Sequence, residues 1–145
     1  MKVFSKTTIY GIRALMYMLM KKDTAPYVNI REIAEQLDIS FHFLTKILQT
    51  LTQAGILKSY RGPAGGIAFD KDEDDITLIE IVNVLEGDTF FDQCMLGLPG
   101  CGIEEPCPAH EFWKEYKALL KNKFEQTTLP ELQQLGGRIG LEMVT

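Results

Sequence analysis

The sequence has few of the residues from which catalytic sites are commonly built, with only two histidines, three cysteines and one tryptophan in 145 residues. The apolar run Ile12–Met20 contains Arg13 and is too short to cross a bilayer, so we expect neither a membrane span nor a signal peptide. His42 and His110 lie in different segments and offer no nucleophile–base pair. We therefore expect a cytoplasmic protein, not an enzyme, with no membrane contact and no small-molecule substrate.

Acidic residues are scarce in the first half of the chain. Residues 1–71 carry ten Lys/Arg and five Asp/Glu, whereas residues 72–145 carry five and fifteen. The first half thus has a net charge of +5 and the second −10, although the whole chain has −5. A partner with phosphate groups would be attracted to the first half alone.

Residues 29–55 have the pattern of two short amphipathic helices joined by a tight turn. Asn29 with Glu32 is a helix start, Ser40 can cap the second helix, and Gly55 can end it. Apolar residues recur at helical spacing in both helices, at Ile30, Ile33, Ala34, Leu37, Leu44, Ile47, Leu48 and Leu51. The pattern predicts a helix-turn-helix whose second helix is sized for a major groove.

A glycine-rich turn follows between two apolar runs, residues 56–60 and 67–69. Gly62 and Gly65 allow the backbone to approach phosphates closely, and Arg61 can reach a narrow minor groove. The alternative interpretation, an αα-hairpin that only packs a core, does not account for this wing. The residues predicted to contact DNA are Ser40, His42, Phe43, Thr45, Lys46, Arg61, Gly62 and Gly65.

Four further helices are predicted, one before and three after the winged helix-turn-helix. The first spans Ser5 to Met20, with its apolar side at Ile9, Ile12, Leu15, Met16 and Leu19. Thr77 with Glu80 starts a short helix through Leu85. A long helix runs from Ala109 to about Phe124, followed by a last short helix capped at Thr128. The apolar stripe of the long helix comprises Phe112, Trp113, Tyr116, Leu119, Leu120 and Phe124. Pairing with a second copy would cover this stripe, as would packing on its own domain.

The three cysteines lie together in a loop rich in glycine and proline. Cys94, Cys101, Cys107 and His110 have the spacing C-x6-C-x5-C-x2-H, which is a plausible metal site. On this spacing alone an iron–sulfur cluster, zinc, thiol redox chemistry and buried cysteines all stay open.

The chain resembles the Rrf2 family of bacterial transcription regulators. The resemblance is carried by FSKTTIYGIRALMYM, by the block from IREIAEQL to RGPAGGIAF, by TLIEIVNVLEGD and by CPAHEFW. It implies a mainly α fold with a small β-hairpin wing, a winged helix-turn-helix plus a long C-terminal dimerisation helix. It also implies a homodimer that binds a double-stranded DNA operator.

The resemblance further implies that Cys94, Cys101 and Cys107 bind an iron–sulfur cluster, with His110 as the fourth ligand. Some relatives take a carboxylate ligand from the first helix, but residues 1–22 contain no Asp or Glu. We expect [2Fe–2S] first and [4Fe–4S] second. Phe43 and Thr45 occupy positions where many relatives have Tyr and Glu. We therefore do not assume that this chain recognises the same operator sequence as those relatives.

These predictions divide the chain into five regions. They are a DNA-binding region at 1–75, a connecting helix at 76–93, a cluster loop at 94–110, a dimerisation helix with C-terminal cap at 109–135, and a flexible tail at 136–145. The function expected is a repressor whose operator affinity depends on the cluster, through redox, nitric oxide or cluster supply. The alternative is a cluster-free regulator controlled by thiol oxidation or a protein partner, and a small iron–sulfur redox protein ranks below both.

Overall fold

Helices dominate the computed structural model, which describes residues 3–63, 65–99, 104–138 and 143–144. In chain order the helices and strands are α1 (Lys6–Lys21), α2 (Ile30–Leu37), α3 (Phe41–Gln53), β1 (Leu57–Tyr60), β2 (Gly66–Phe69), α4 (Leu78–Glu86), α5 (His110–Gln126), α6 (Leu129–Gln134), β3 (Gly137–Arg138) and β4 (Met143–Val144). The predicted mainly α fold with a small β-hairpin is confirmed. No helix in the described ranges is both long and apolar enough to cross a membrane.

Helix α1 packs against α2, α3, α4 and α6 and forms the centre of the core. Ser5 caps it, because its side chain accepts a hydrogen bond from the Thr8 N–H. The predicted inward face was partly wrong: Ile9 is 40% exposed, whereas Ala14, Leu15, Tyr17, Met18 and Leu19 are buried. Gly11 faces α4, and a Cβ there would lie 2.4 Å from Leu85 Cδ1, so the glycine permits the close approach of these helices.

Helices α2 and α3 form the predicted helix-turn-helix. Asn29 Oδ1 accepts a hydrogen bond from the Arg31 N–H at 2.8 Å, and Ser40 Oγ accepts one from the Phe43 N–H at 3.3 Å. Asp38 ends α2 in the left-handed conformation at φ 55°. The predicted inward residues of α3 are all buried, namely Leu44, Ile47, Leu48 and Leu51.

The wing is a β1–β2 antiparallel pair to which a third segment is joined. Leu57 pairs with Phe69 at one end and Tyr60 with Gly66 at the other. Val28, just before α2, exchanges two backbone hydrogen bonds of 2.8 Å with Ile67. The sequence pattern did not predict this third segment. A Cβ on Gly66 would lie 2.2 Å from the Val28 carbonyl oxygen, so only glycine permits this approach.

The C-terminal helices are joined to the same core. Thr77 and Thr128 cap α4 and α6 as predicted, and the two residues form a β-bridge with each other. Leu129 is fully buried, and its N–H donates to the Ile76 carbonyl at 2.8 Å. Helix α6 therefore returns to α1 after the long α5.

The region predicted to be a flexible tail lies partly outside the described residues. Within the described part, Gly137–Arg138 pairs antiparallel with Met143–Val144. Residues 139–142 and 145 are not described.

Candidate nucleic-acid interface and cysteine loop

An open groove of about 720 Å³ lies between α3, the wing and the beginning of α2. Its lining residues are Asn29, Ile30, Arg31, Phe41, Thr45, Leu48, Gln49, Thr52, Gln53, Ser59, Tyr60, Arg61, Gly62, Gly65, Gly66 and Ile67. This set contains two arginines and no Asp or Glu, although the chain as a whole carries −5. The groove is therefore suited to a polyanion.

Helix α3 presents most of its predicted DNA-contacting residues on the outside of the molecule. Ser40, His42 and Lys46 are exposed, and the half-buried Thr45 lines the groove. Thr45 Oγ1 donates a hydrogen bond to the Phe41 carbonyl at 2.7 Å, which leaves the oxygen free to accept. This surface can therefore offer donors and acceptors to base edges in a major groove.

Phe43 departs from the prediction that it would face DNA with these residues. Its ring is half-buried and packs edge-on against Tyr10 of α1, with 5.9 Å between the ring centroids. Phe43 is also absent from the residues that line the groove. The contact shows that Phe43 joins α3 to α1.

Two aromatic contacts at the groove were not predicted from the sequence. The Arg31 guanidinium carbon lies 4.4 Å from the ring centroid of Phe41. On the wing, Tyr60 stacks on Tyr27 with the ring centroids 5.2 Å apart. Helical spacing could have placed Arg31 on an exposed face of α2, but no local signal indicates which ring it meets.

The turn of the wing requires its glycines. Gly62 has φ +125°, and the Gly65 N–H donates to the Gly62 carbonyl at 2.9 Å. A Cβ on Gly65 would lie 2.2 Å from the Tyr60 carbonyl oxygen. Arg61 is exposed at the beginning of this turn, and position 64 lies outside the described residues. The structure thus places Arg61, Gly62 and Gly65 together on the groove.

Helix α5 holds both ends of the cysteine loop. The His110 N–H donates to the Cys107 carbonyl at 3.0 Å, and Cys107 is only 7% exposed. At the other end, Trp113 Nε1 and Lys117 Nζ donate to the Gln93 carbonyl at 3.0 and 3.1 Å. Cys94 follows Gln93 and is half-buried.

The predicted ligand set is only partly described. Cys101 lies outside the described residues, as do positions 100, 102 and 103. Among the residues that the structure describes, no three His, Cys, Asp or Glu side chains lie close enough together to hold a metal ion.

Helix α5 has no buried residue, although it is 17 residues long. Phe112, Tyr116 and Leu119 are 49, 60 and 60% exposed. Phe124, by contrast, packs against the rings of Phe4 and Phe91. The predicted apolar stripe is thus covered at one end and open to solvent over most of its length.

The fold and the groove define a winged helix-turn-helix protein, a class that binds DNA through one helix and a wing. The family model described as "Iron-dependent Transcriptional regulator" matches residues 4–134. The chain belongs to this family, the Rrf2 transcriptional regulators, as its sequence resemblance predicted.

Known proteins of this family resemble the chain over most of its length. A protein of Aquifex aeolicus, named an HTH-type transcriptional regulator, is 32% identical over 133 residues, which cover 90% of each chain. The HTH-type transcriptional regulator IscR of Klebsiella pneumoniae is 28% identical and covers 85% of this chain and 74% of its own length. None of these names is that of an enzyme.

Among solved structures, CymR, the global cysteine regulator of B. subtilis, superposes with a TM-score of 0.77 at 28% identity. The match covers 93% of this chain and 98% of CymR. IscR of T. potens has a TM-score of 0.73 at 23% identity over 92% of this chain and 87% of its own. The fold of both is the winged helix-turn-helix described above.

Proposed function

We propose that the chain is a homodimeric repressor that binds a double-stranded DNA operator and is controlled at its cysteine loop. The observation that carries the DNA-binding role is the groove between α3 and the wing, which two arginines line without any carboxylate. His42, Thr45 and Lys46 would meet base edges, with Ser40 at the helix cap. Arg61, Gly62 and Gly65 would bring the wing against the adjacent backbone and minor groove.

The homodimer is proposed from the exposed side of α5. Tyr116 and Leu119 lie on a helix whose other apolar residues only partly meet the core, and they would be covered by the same helix of a second copy. A two-fold axis would repeat the groove and match an operator with two half-sites.

An iron–sulfur cluster is proposed as the controlling group, [2Fe–2S] before [4Fe–4S]. Three thiols and an imidazole, from Cys94, Cys101, Cys107 and His110, have the soft-donor chemistry that such clusters require. The family description as iron-dependent supports this assignment. A bound cluster would supply a redox-responsive, thiolate-held centre, and its loss would remove bonds across the loop.

The residues of the chain connect this loop to the DNA-binding unit. His110 begins α5 and its N–H donates to the Cys107 carbonyl, and the Gln93 carbonyl accepts from Trp113 and Lys117 of the same helix. A change in loop conformation would therefore act on α5, and through the proposed dimer on the separation of the two α3 helices.

A cluster-free regulator is the second candidate. The similarity to CymR favours it. In that case Cys94, Cys101 and Cys107 would respond by oxidation of their thiols, and the loop would be changed by a covalent bond or by a protein partner.

Anaerobic purification separates these two candidates. The cluster hypothesis predicts a visible absorption spectrum with matching iron and sulfide, and Cys101→Ala should abolish all three, because an iron would lose a ligand. Met95→Ala is the matched control, since this loop side chain is exposed and is not a proposed ligand. Iron and sulfide at the wild-type level in Cys101→Ala would contradict the proposed ligand set.

The DNA-binding role is tested by selecting bound duplexes from a random library. We expect a selected sequence with two-fold symmetry and half-sites about one helical turn apart. A library that returns no enriched sequence in either the cluster-loaded or the cluster-free protein would refute the proposed regulator.

A further inference from the structure

We infer that Arg31 of α2 contacts a DNA phosphate, and that Phe41 of α3 is its positioning residue. This inference rests on the proposed DNA-binding function and extends it to a residue outside α3 and the wing. It would add a contact to the DNA backbone at the beginning of α2.

The geometry of the pair places the charge on the groove. Arg31 is exposed in the first turn of α2, two residues after the capping residue Asn29. Its guanidinium carbon lies 4.4 Å from the centroid of the Phe41 ring, and both residues line the groove. Phe41 is the first residue of α3 and is half-buried, so its ring is a fixed platform.

Two carboxylates lie near Arg31 at a second depression, and Arg31 forms no salt bridge with either of them. Glu35 is one turn further along α2 and, with Asp38, borders a second depression that Arg31 and Phe41 also line. An Arg and a Glu four residues apart on a helix commonly form an ion pair. Among the described residues, however, no salt bridge includes Arg31.

Phosphate is the ligand chemistry that fits this arrangement. A guanidinium offers a planar fork of donors that matches phosphate oxygens, and stacking on a ring leaves the edge of that fork available. Arg61 lines the same groove from the wing, and no carboxylate is among the residues that line it. A DNA backbone seated between α3 and the wing would therefore meet both arginines.

A phosphate contact is distinguishable from a base contact by its dependence on salt. The logarithm of the binding constant falls linearly with the logarithm of salt concentration, with a slope proportional to the number of neutralised phosphates. Removal of one phosphate contact reduces that slope by about one and weakens binding to all sequences alike.

The experiment uses a fluorescently labelled duplex of mixed sequence, about three helical turns long, and measures anisotropy between about 50 and 200 mM KCl. Arg31→Ala should weaken binding on the order of tenfold at the lowest salt. It should reduce the slope by about two, because the proposed dimer carries Arg31 twice and each copy contributes about one. Arg31→Lys keeps the charge and should restore most of the slope. Lys58→Ala is the charge-matched control, because Lys58 is exposed on β1 but does not line the groove.

The positioning role of Phe41 is tested by a double-mutant cycle. Phe41→Leu keeps an apolar residue at the start of α3 but removes the ring, so it should weaken binding severalfold. Adding Phe41→Leu to Arg31→Ala should then have little further effect, because the two substitutions remove one interaction. Circular dichroism melting of each variant establishes whether α3 is still folded.

Three outcomes are informative. An unchanged slope in Arg31→Ala, beside a steep wild-type slope, overturns the phosphate contact while leaving the proposed function intact. Additive effects of the two substitutions overturn the role of Phe41. If the wild-type protein fails to bind the duplex at every salt concentration tested, the proposed function itself is contradicted.

Discussion

Substitution of Leu119 by alanine should weaken the dimer without unfolding the protein. Leu119 is 60% exposed on α5, so a partner could cover more than half of its side chain. Full burial of a leucine is worth about 1.5–3 kcal/mol, so truncation of this exposed part costs about 1 kcal/mol for each copy. Because a two-fold interface contains the residue twice, the dissociation free energy should fall by about 2 kcal/mol. This corresponds to a dissociation constant raised about 30-fold.

Sedimentation equilibrium over a concentration series measures this change. Leu135→Ala is the matched control, since Leu135 is 82% exposed but lies after α6, away from the apolar stripe of α5. It should leave the dissociation constant unchanged. A wild-type monomer at the highest concentration, or equal effects of the two substitutions, would refute the assignment of α5 as the dimer interface.

Three further predictions concern the wing and the recognition helix. Gly66→Ala should lower the free energy of unfolding in urea by about 2–4 kcal/mol, because its Cβ would meet the Val28 carbonyl, whereas Gly55→Ala should cost only about 1–2 kcal/mol, since nothing lies within 4 Å of its Cβ. Equal costs would show that the approach of Val28 is not tight. Arg61→Ala should weaken operator binding by about 1–3 kcal/mol in a gel-shift titration and leave the visible spectrum unchanged. Thr45→Glu should shift the preference among operator variants towards cytosine opposite the helix, as measured by footprinting, and an unchanged order of preference would show that residue 45 does not face the bases.

The parts of the fold that local chemistry determines were predicted from the sequence. Asn29, Ser40, Thr77 and Thr128 cap helices because each cap is satisfied within three residues of chain. The inward face of α3 followed likewise from its apolar spacing.

Contacts between distant segments could not be predicted in this way. The pairing of Val28 with Ile67 and the return of Leu129 to Ile76 join residues that are far apart in sequence. Phe43 stands at the border of the apolar face of α3, and only the position of Tyr10 determines that it turns inward.

The cysteine loop likewise has a part that was predicted from local sequence and a part that was not. Its spacing indicated a set of donors, because soft ligands close together in sequence are a local signal. Whether four such side chains meet depends on loop conformation, and the described residues include only Cys94, Cys107 and His110. The ligand set therefore stays a prediction, whereas the groove is defined by the packing of α2, α3 and the wing.

The strand segment at Val28 has a consequence for how operator affinity can be regulated. Two hydrogen bonds to Ile67, the stacking of Tyr27 on Tyr60 and the close approach at Gly66 fasten the wing to the chain that enters α2. The wing and the recognition helix therefore behave as one rigid DNA-binding unit. In the proposed homodimer, a signal would then act on the distance and angle between two such units. One base pair added between the half-sites would increase their separation along the DNA axis by about 3.4 Å, and neither unit could bend to follow.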